Sequence, residues 1–511
     1  MTAVVTAAPV VGPTRPRPCL SLTPTPTTWV VAAAAAADGE LDIGELAGPY
    51  VAADALARRM RADGEPVVFT SAIDEYHPGV LARALRSGRE PAEVAESFGE
   101  TIAADWAHAQ ITLDGVVRVG HDAGHRARVA AWFRRLYAAG LLTAREGRHP
   151  YCASCELWGV GRLVVGECPG CGAPCGGGPC AACLRPNDPE ELADPHCARC
   201  GGPTRPRALR RLFFPLEPHH EVLRAPWAHA LPATSPAGRG PAVPVDGFAG
   251  QRVDPQFAAA LAHLVAAETI AEDGPYEAVH FLRRHDTAVH LALVPALLRI
   301  AGLPQPARFH INDPYVTAAP LWALDALTAV GSDALRRHVL LRRPDGAPVE
   351  HRQRELAQGR RHLVGRWNGW LGSVFAAARS EHGGLVPDAA PGGVGWEALT
   401  ERLRRIAPAL RTALGPDHFA AAQAVTLLDE VVDQAVEFGR ANTWEAAPVL
   451  AAHLAVAGAL SAWAWPVMPH GAARLATALG VPVPRPIDAA ALCPPTPGAR
   501  LEPPTGPLFG L

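Results

Sequence analysis

Short apolar runs near the N-terminus flank one longer amphipathic segment. Residues 29–32 and 66–70 are apolar runs of strand length, and the segment 43–62 between them has a helical pattern after a Gly-containing loop. A strand, a loop, a helix and a second strand at this spacing are typical of a βαβ unit, which requires a parallel sheet. We expect a further buried strand at 279–281 to resume the same sheet.

Helical periodicity dominates the regions between and after these strands. It extends over residues 89–140 and returns around 291–300. From 331 to 479 helical patterns follow one another, with one Gly- and Pro-rich break at 383–395. The last thirty residues are rich in Pro and are predicted to run over the surface.

Length and charge narrow the range of partners. The 511 residues suggest two to four domains, and the net charge is -3. Because no run of positive charge is present, the sequence predicts no DNA partner and weakens a tRNA partner without removing it. The apolar stretch at 28–37 is too short to cross a bilayer and is followed by acidic residues, so we expect no membrane partner and a cytoplasmic protein.

The chain contains no lysine, so all 47 basic side chains are arginine. A genome that favours Arg codons explains a shortage of lysine. Arginine does not replace lysine at a catalytic position, however, because the two cations differ in geometry and chemistry. A mechanism that needs a lysine amine is therefore excluded, apart from the amine of Met1.

Eight of the eleven cysteines form four Cys-x-x-Cys pairs. The pairs are Cys152 with Cys155, Cys168 with Cys171, Cys180 with Cys183, and Cys197 with Cys200. A tight turn aims two such thiolates at one ion, which suits zinc, and four thiolates leave no open position, so one or two structural zinc ions are predicted. The inner two pairs are expected to share one site and the outer two pairs a second. An iron–sulfur or redox role is the alternative.

The cysteine-rich segment and its flanks resemble the connective insert of methionyl-tRNA synthetases. The matching stretches in that insert are 149–155, 166–171, 195–200 and 212–216. Further matches lie at 47–58, 74–75, 331–336, 466–469, 479–480 and 507–509. On these motifs the chain is identified as a member of that family, one of the class I aminoacyl-tRNA synthetases, and as a degenerate paralogue within it.

The resemblance implies a fold of class α/β plus all-α. It combines a Rossmann-type parallel sheet of the class I synthetases, a zinc-binding insert and a C-terminal helical bundle. The expected domains are a disordered tail (1–27), the first half of the Rossmann-type domain (28–104), the connective insert (105–240, Cys-rich at 151–204), the second half (241–330), an anticodon-binding-like helical domain (331–490) and a C-terminal tail (491–511).

The first family signature, His-Ile/Leu-Gly-His, aligns with Asp42, Ile43, Gly44 and Glu45. In the family this helix start contacts ATP phosphates, which helix N-termini favour. Two carboxylates oppose that binding: at an effective dielectric of about 20, one like-charge contact at 4 Å costs on the order of 4 kcal/mol. Magnesium could bridge them to phosphates. The alternative that we favour is a capping box, Asp-x-x-Glu, with Asp42 as the cap.

The second signature, Lys-Met-Ser-Lys-Ser, should lie between Leu303 and Gly331 and is missing. In the family that loop neutralises charge on the triphosphate, and preorganised charge of this kind is often a large catalytic term. Binding of ATP is therefore doubtful, and the catalytic residues stay unassigned.

The amino-acid pocket implied by the resemblance is also altered. Asp74 aligns with the acid that holds the substrate ammonium, and His290 aligns with the pocket histidine. Tyr76 and His77 replace a His and a Gly, and Gln251 stands at an aromatic position. A strand-end acid is the alternative for Asp74, and a buried core histidine is the alternative for His290. In the helical domain, Val449 replaces the Trp that stacks on an anticodon base, a contact worth about 1–3 kcal/mol.

Three functions follow from these departures. The first is a repurposed paralogue, with a role in specialised metabolism, that binds or processes an amino acid, an aminoacyl group or a tRNA-like partner. The second is a divergent ATP-dependent methionine–tRNA ligase. The third is an amino-acid-joining enzyme of the hydrazine-forming type, which would act with a separate cupin protein.

Overall fold

The computed structural model of the chain describes residues 25–225, 229–444 and 446–510. The first elements are β1 (Thr27–Ala32), β2 (Ala35–Ala36), α1 (Ile43–Glu45), a π-helical turn (Leu46–Tyr50), α2 (Val51–Ala62), β3 (Val67–Asp74), α3 (Pro78–Ser87), α4 (Pro91–His108), β4 (Gly115–Arg118) and α5 (Ala123–Ala138). The predicted βαβ unit is confirmed, and its helical segment runs from 43 to 62. The N-terminal tail is predicted from the sequence to be disordered over residues 1–27. Residues 1–24 lie outside the described part, and Thr27 is the first residue of β1.

Antiparallel strands, two of them long, form the segment that follows. They are β5 (Thr143–Cys152), β6 (Leu157–Trp158), β7 (Val164–Glu167), β8 (Pro174–Cys175), β9 (Ala193–Cys197), β10 (Arg205–Phe214) and β11 (Leu231–Pro232), with 3-10 turns at Gly161–Leu163, Pro189–Glu191 and Glu217–His219. The long strands β5 and β10 pair from Thr143 opposite Phe213 to Tyr151 opposite Arg205. Cys152 ends β5, and the other seven paired cysteines lie in the chain between β5 and β10.

The chain then returns to the main sheet. Its elements here are β12 (Thr234–Ser235), β13 (Arg252–Val253), α6 (Pro255–Glu272), β14 (Tyr276–Arg283), a 3-10 turn (Arg284–Asp286), a π-helical turn (Val289–Leu293), α7 (Val294–Ala301) and β15 (Arg308–Asn312). The strand expected at 279–281 is confirmed as the middle of β14. The helix expected at 291–300 is formed by the π-helical turn Val289–Leu293 and α7.

Six parallel strands form the main sheet, in the order β15-β14-β1-β3, with β2 and β4 also pairing with β3. The β1 strand is central and lies between β14 and β3, with Val31 opposite His280 and Thr70. Since all strands run the same way, the carboxyl ends of β1, β3 and β14 meet at one edge, where ligands bind in open sheets of this type. The helix start at Asp42 and the acid Asp74 lie at that edge.

Helices make up most of the C-terminal part. The elements are β16 (Tyr315–Val316), α8 (Ala323–Val330), α9 (Ser332–Leu341), β17 (Val349–Glu350), α10 (Gln353–His362), a π-helical turn (Leu363–Trp367), α11 (Asn368–His382), α12 (Trp396–Ala413), α13 (Ala421–Arg440), α14 (Ala447–Trp463), α15 (Pro469–Leu479) and a 3-10 turn (Ala489–Ala491). The predicted break at 383–395 is confirmed between α11 and α12. No helix in the described part is long and apolar enough to span a membrane.

Two expectations from the sequence are wrong. Residues 115–118, placed in a helical region, form β4 against β3. A four-residue run is too short to reveal its period in the sequence. The C-terminal tail does not only cover the surface, because Phe509 is fully buried and its ring lies 5.0 Å from that of Trp367.

A buried arginine joins the helical domain to the sheet domain. Arg336 of α9 is 0% exposed and donates to the Asp54 carboxylate of α2 at 2.6 Å. The same guanidinium donates to the carbonyls of Val467 at 2.9 Å, Pro466 at 3.0 Å and Ala109 at 3.0 Å. A buried charge is tolerated when it is paired and hydrogen-bonded in this way. The apolar core is likewise continuous across this junction.

Candidate functional site

The helix start at the sheet edge is closed by its own side chains. Asp42 caps α1, because its Oδ1 accepts from the Glu45 amide at 2.8 Å, while the Glu45 Oε2 accepts from the Asp42 amide at 3.1 Å. The predicted capping box is therefore present. These carboxylates use the amides that a phosphate would otherwise contact. Ile43 is buried beneath them and belongs to the core.

An arginine from β14 neutralises this group of acids. The Arg283 guanidinium donates to Glu45 Oε1 at 2.5 Å, to Asp286 Oδ2 at 3.0 Å and to the carbonyl of Ala34 at 3.1 Å. Burial raises the pKa of Glu45 to about 7, although Arg283 opposes the shift. Burial also disfavours the ionised form of Asp286, but the charges of Arg283 and His285 and the hydrogen bond from Arg283 together outweigh burial and lower the Asp286 pKa. The cation at the helix start is thus fully engaged within the protein.

The segment between β15 and α8 lies directly over the helix start. A Cβ atom placed on Gly44 would lie 2.9 Å from the Cβ of Tyr315. The Ile43 amide donates to the Leu321 carbonyl at 3.0 Å, and the Ala323 amide donates to the Leu41 carbonyl at 2.8 Å. The chain that replaces the missing lysine loop therefore packs on Gly44 and is held there by backbone hydrogen bonds.

The predicted pocket acid lies at the carboxyl end of β3. Asp74 Oδ1 accepts from the Tyr76 amide at 3.0 Å, and burial raises the pKa of Asp74. Tyr76 is buried, and His77 caps α3 by accepting from the Gly79 amide at 3.3 Å. Asp74, Tyr76 and His77 are thus at the expected edge, where both the strand-end alternative and an ammonium-binding role fit Asp74.

Among the described residues, no hydrogen bond joins the other two predicted pocket residues to that edge group. Gln251 is buried and its amide is used internally, since its Oε1 accepts from Thr234 at 2.8 Å and its Nε2 donates to the Arg210 carbonyl at 2.7 Å. His290 is buried behind β14, where its Nδ1 lies 3.2 Å from the Nδ1 of His280. A ligand-binding role for these two side chains stays a prediction.

The eight paired cysteines converge in two groups of four. Cys152, Cys155, Cys197 and Cys200 form one group, and Cys168, Cys171, Cys180 and Cys183 form the other. Within each group every sulfur lies within 4.8 Å of the others. The grouping is the one expected from the sequence, and four converging thiols are suited to hold a tetrahedral metal ion.

Comparison with known proteins supports the fold and agrees with the resemblance found in the sequence. Residues 28–235 match the family model described as tRNA synthetases class I (M). The methionine–tRNA ligase of Pyrobaculum arsenaticum is 25% identical over 90% of this chain and 90% of its own length. The crystal structure of methionyl-tRNA synthetase from Mycobacterium tuberculosis bound by methionyl-adenylate superposes with a TM-score of 0.75, at 18% identity, over 95% of this chain and 100% of that chain. This chain is similar to methionyl-tRNA synthetases in sequence and in fold.

Other relatives match over a smaller part. The methionine–tRNA ligase of Ignicoccus hospitalis is 28% identical over 53% of this chain and 54% of its own length. The Pyrococcus furiosus enzyme is 32% identical over 38% of this chain and 27% of its own length. The chain therefore spans about half of the first relative and about a quarter of the second, so their activity and partners come to this chain only as proposals.

Position 449, which the resemblance aligns with the anticodon Trp of the family, belongs to the bundle core. Val449 is buried at the start of α14. The nearby Trp444 stacks on His453 with ring centres 4.1 Å apart. The buried Val449 side chain therefore offers no aromatic ring on which a base could stack.

Sequence reasoning missed the partners of the predicted residues. Arg283, Asp286 and Tyr315 build the helix-start group, and none was singled out. Arg283 ends a strand at the ligand-binding edge, which is a signal that could have drawn attention to it. His263 and His280 contact His290, but a helix and a strand hold them, so no local motif connects them.

Proposed function

We propose that this chain is a methionyl-tRNA-synthetase-like protein that binds an amino acid or an aminoacyl group without forming an adenylate in the manner of its family. The observation that carries the proposal is the Arg283 group at the helix start. Its guanidinium is engaged by Glu45 and Asp286 at hydrogen-bonding distances. A triphosphate would have to displace these internal contacts and meet their carboxylates.

The missing lysine loop supports the same conclusion. Adenylate formation needs preorganised positive charge around the phosphates. The chain has no lysine, and Tyr315 of the replacing segment packs on Gly44 instead. Arg284 on the turn after β14 is also paired, with Asp313 at 2.9 Å. Both arginines at the end of β14 are therefore already paired with carboxylates.

The opposite end of the proposed pocket keeps an anchor for an ammonium group. Asp74 has a half-buried carboxyl group whose Oδ1 accepts one backbone hydrogen bond. An incoming ammonium would satisfy its remaining acceptor capacity and would counteract the burial that raises its pKa. We infer that an amino group binds here, whereas the side-chain selectivity differs from that for methionine because Gln251 is committed to internal hydrogen bonds.

The two cysteine groups are proposed to hold one structural zinc ion each. Four sulfur donors complete a tetrahedral shell, so such an ion would stabilise the insert and would not take part in chemistry. In the proposed role, the insert would keep the structure that the family has, whereas the phosphate-binding end of the cleft would differ from that of the family. A tRNA partner is not favoured, since the anticodon position carries Val449 and the net charge is -3.

Two measurements test the proposal. Pyrophosphate exchange with ATP and each common amino acid is expected to give no signal above a blank. Thermal shift without ATP is expected to find an amino acid that stabilises the protein, by about 2.7 kcal/mol at a hundredfold excess over Kd. Asp74→Asn, which keeps an acceptor for the Tyr76 amide, should abolish that shift. Asp122→Asn, at the cap of α5, should keep it.

A divergent methionine–tRNA ligase is the second candidate. It is favoured by the match to the Pyrobaculum arsenaticum ligase over 90% of both chains. Robust exchange with methionine would establish this candidate and reject the first. A gel-shift with methionine tRNA over a salt titration would add to it, because phosphate contacts weaken steeply as salt rises.

A further inference from the structure

Three histidines meet inside the sheet domain, away from the cysteine groups. His263 lies on α6, His280 on β14 and His290 on the π-helical turn that precedes α7. All three side chains are buried. Each can offer one ring nitrogen to a common point, and these nitrogens lie within 4.8 Å of one another.

The spacing of the rings matches a metal site. Zinc–nitrogen bonds of about 2.1 Å in a tetrahedral site place ligand nitrogens about 3.3 Å apart and imidazole ring centres roughly 5 Å apart. The Nδ1 atoms of His280 and His290 are 3.2 Å apart. The ring centres are separated by 4.8 Å (His263 and His280), 5.5 Å (His263 and His290) and 5.1 Å (His280 and His290).

Hydrogen bonding alone does not account for this cluster. The Nε2 atom of His263 is buried and has no hydrogen-bond partner in the described part of the chain. The surroundings are aromatic: Trp29 stacks on His263 with ring centres 4.9 Å apart, and Phe309 meets His280 edge-on at 5.2 Å. Leaving a polar nitrogen unpaired in such a place costs free energy, which a ligand would recover.

The donor atoms suit a transition-metal ion. Neutral imidazole is the ligand form of histidine. Nitrogen donors also select ions such as zinc and cobalt over magnesium and calcium, which prefer oxygen.

We propose that His263, His280 and His290 bind one divalent transition-metal ion of the zinc class through three imidazole nitrogens. Three protein ligands leave a fourth position for water or for an atom of a bound small molecule, unlike the four-sulfur groups. The site would lie behind β14 at the position that the family uses for its pocket histidine. It shares no residue with the helix-start group, so it can be present whether or not the proposed function is correct.

The metal content of the full-length protein tests the site. After loading with zinc and removal of unbound metal, the wild-type protein is expected to hold one ion more than the two assigned to the cysteine groups. His280→Phe and His263→Phe, which keep an aromatic ring in each position, should each lose that one ion. His219→Phe is the matched control, because His219 is also buried and stacks on Phe214 at 5.4 Å; its metal content should equal that of the wild type.

A cobalt titration of the wild-type protein keeps the test decisive if a variant does not fold. Cobalt added to protein whose cysteine groups are already filled with zinc should bind at one equivalent. Its spectrum should show d–d bands without thiolate charge transfer, as expected for nitrogen ligands. A wild-type protein that holds only two zinc ions and takes up no cobalt would overturn the proposal. Retention of the extra ion in both His→Phe variants would overturn it as well.

Discussion

The cysteine insert and the helix start at Asp42 differ in what they retain of the family. The insert keeps all four Cys-x-x-Cys pairs, and the fold brings them together in two groups. At the helix start, the positions that the resemblance aligns with two family histidines hold Asp42 and Glu45, and Arg283 is bound to Glu45 and Asp286. The resemblance implies that the insert supports the fold and that the helix start serves phosphate chemistry in the family. A chain can thus keep the parts that stabilise a scaffold while it changes the parts that react.

The largest effect is expected from removing one inner cysteine. Cys168→Ser should take the ion from its group and unfold the surrounding knuckle, since binding free energy of structural zinc is folding free energy, on the order of 10 kcal/mol in isolated zinc fingers. Zinc content and protease sensitivity of the insert measure the loss. Cys493→Ser, an exposed cysteine outside both groups, is the control. Equal zinc content in the two variants would show that the insert does not depend on metal.

Removing the central cation should have the next largest effect. Arg283→Leu leaves the Glu45 and Asp286 carboxyl groups without their partner, and breaking a buried pair in this way costs about 3–5 kcal/mol. Urea unfolding of the whole chain measures the change. Arg405→Leu, whose partner Glu401 is exposed on α12, should cost less than about 1 kcal/mol. If both variants lose the same stability, Arg283 does not organise the helix start.

A pH series sharpens the comparison further. The folded pKa of Glu45 is raised to about 7 from the ordinary value of 4.5. The folded chain therefore keeps a proton that the unfolded chain releases, so stability should fall as pH rises from about 4.5 to 7, by on the order of 2 kcal/mol. Glu45→Gln should remove this part of the pH dependence. An unchanged pH profile in Glu45→Gln would contradict the raised pKa.

The capping box gives the smallest expected effect. Asp42→Ala removes the acceptor for the Glu45 amide and should cost about 1 kcal/mol. Asp42→Ser keeps an acceptor and should cost only a few tenths as much. Thermal unfolding of the pair separates the two effects. Equal losses would mean that the Asp42 charge matters more than its hydrogen bond.

Local patterns in the sequence predicted what depends on near neighbours. The helix from 43 to 62, the capping box and the four Cys-x-x-Cys pairs all follow from spacings of a few residues. Contacts between distant positions could not be predicted in that way. Arg283 and Glu45 are 238 residues apart in the chain, and no pattern around either one indicates the other. The three histidines likewise meet only because α6 and the turn before α7 pack on the same face of β14.

The buried guanidinium of Arg336 limits how the molecule can be divided. It belongs to the first helix after residue 331, but its acceptors lie on α2, on the loop after α4 and on the loop before α15. A fragment that stops near residue 330 would leave Asp54 without its cation, and a fragment that starts there would leave an arginine without its anion. We therefore expect neither half to fold stably alone. A substitution that lowers the free energy of unfolding in one half should also destabilise the other.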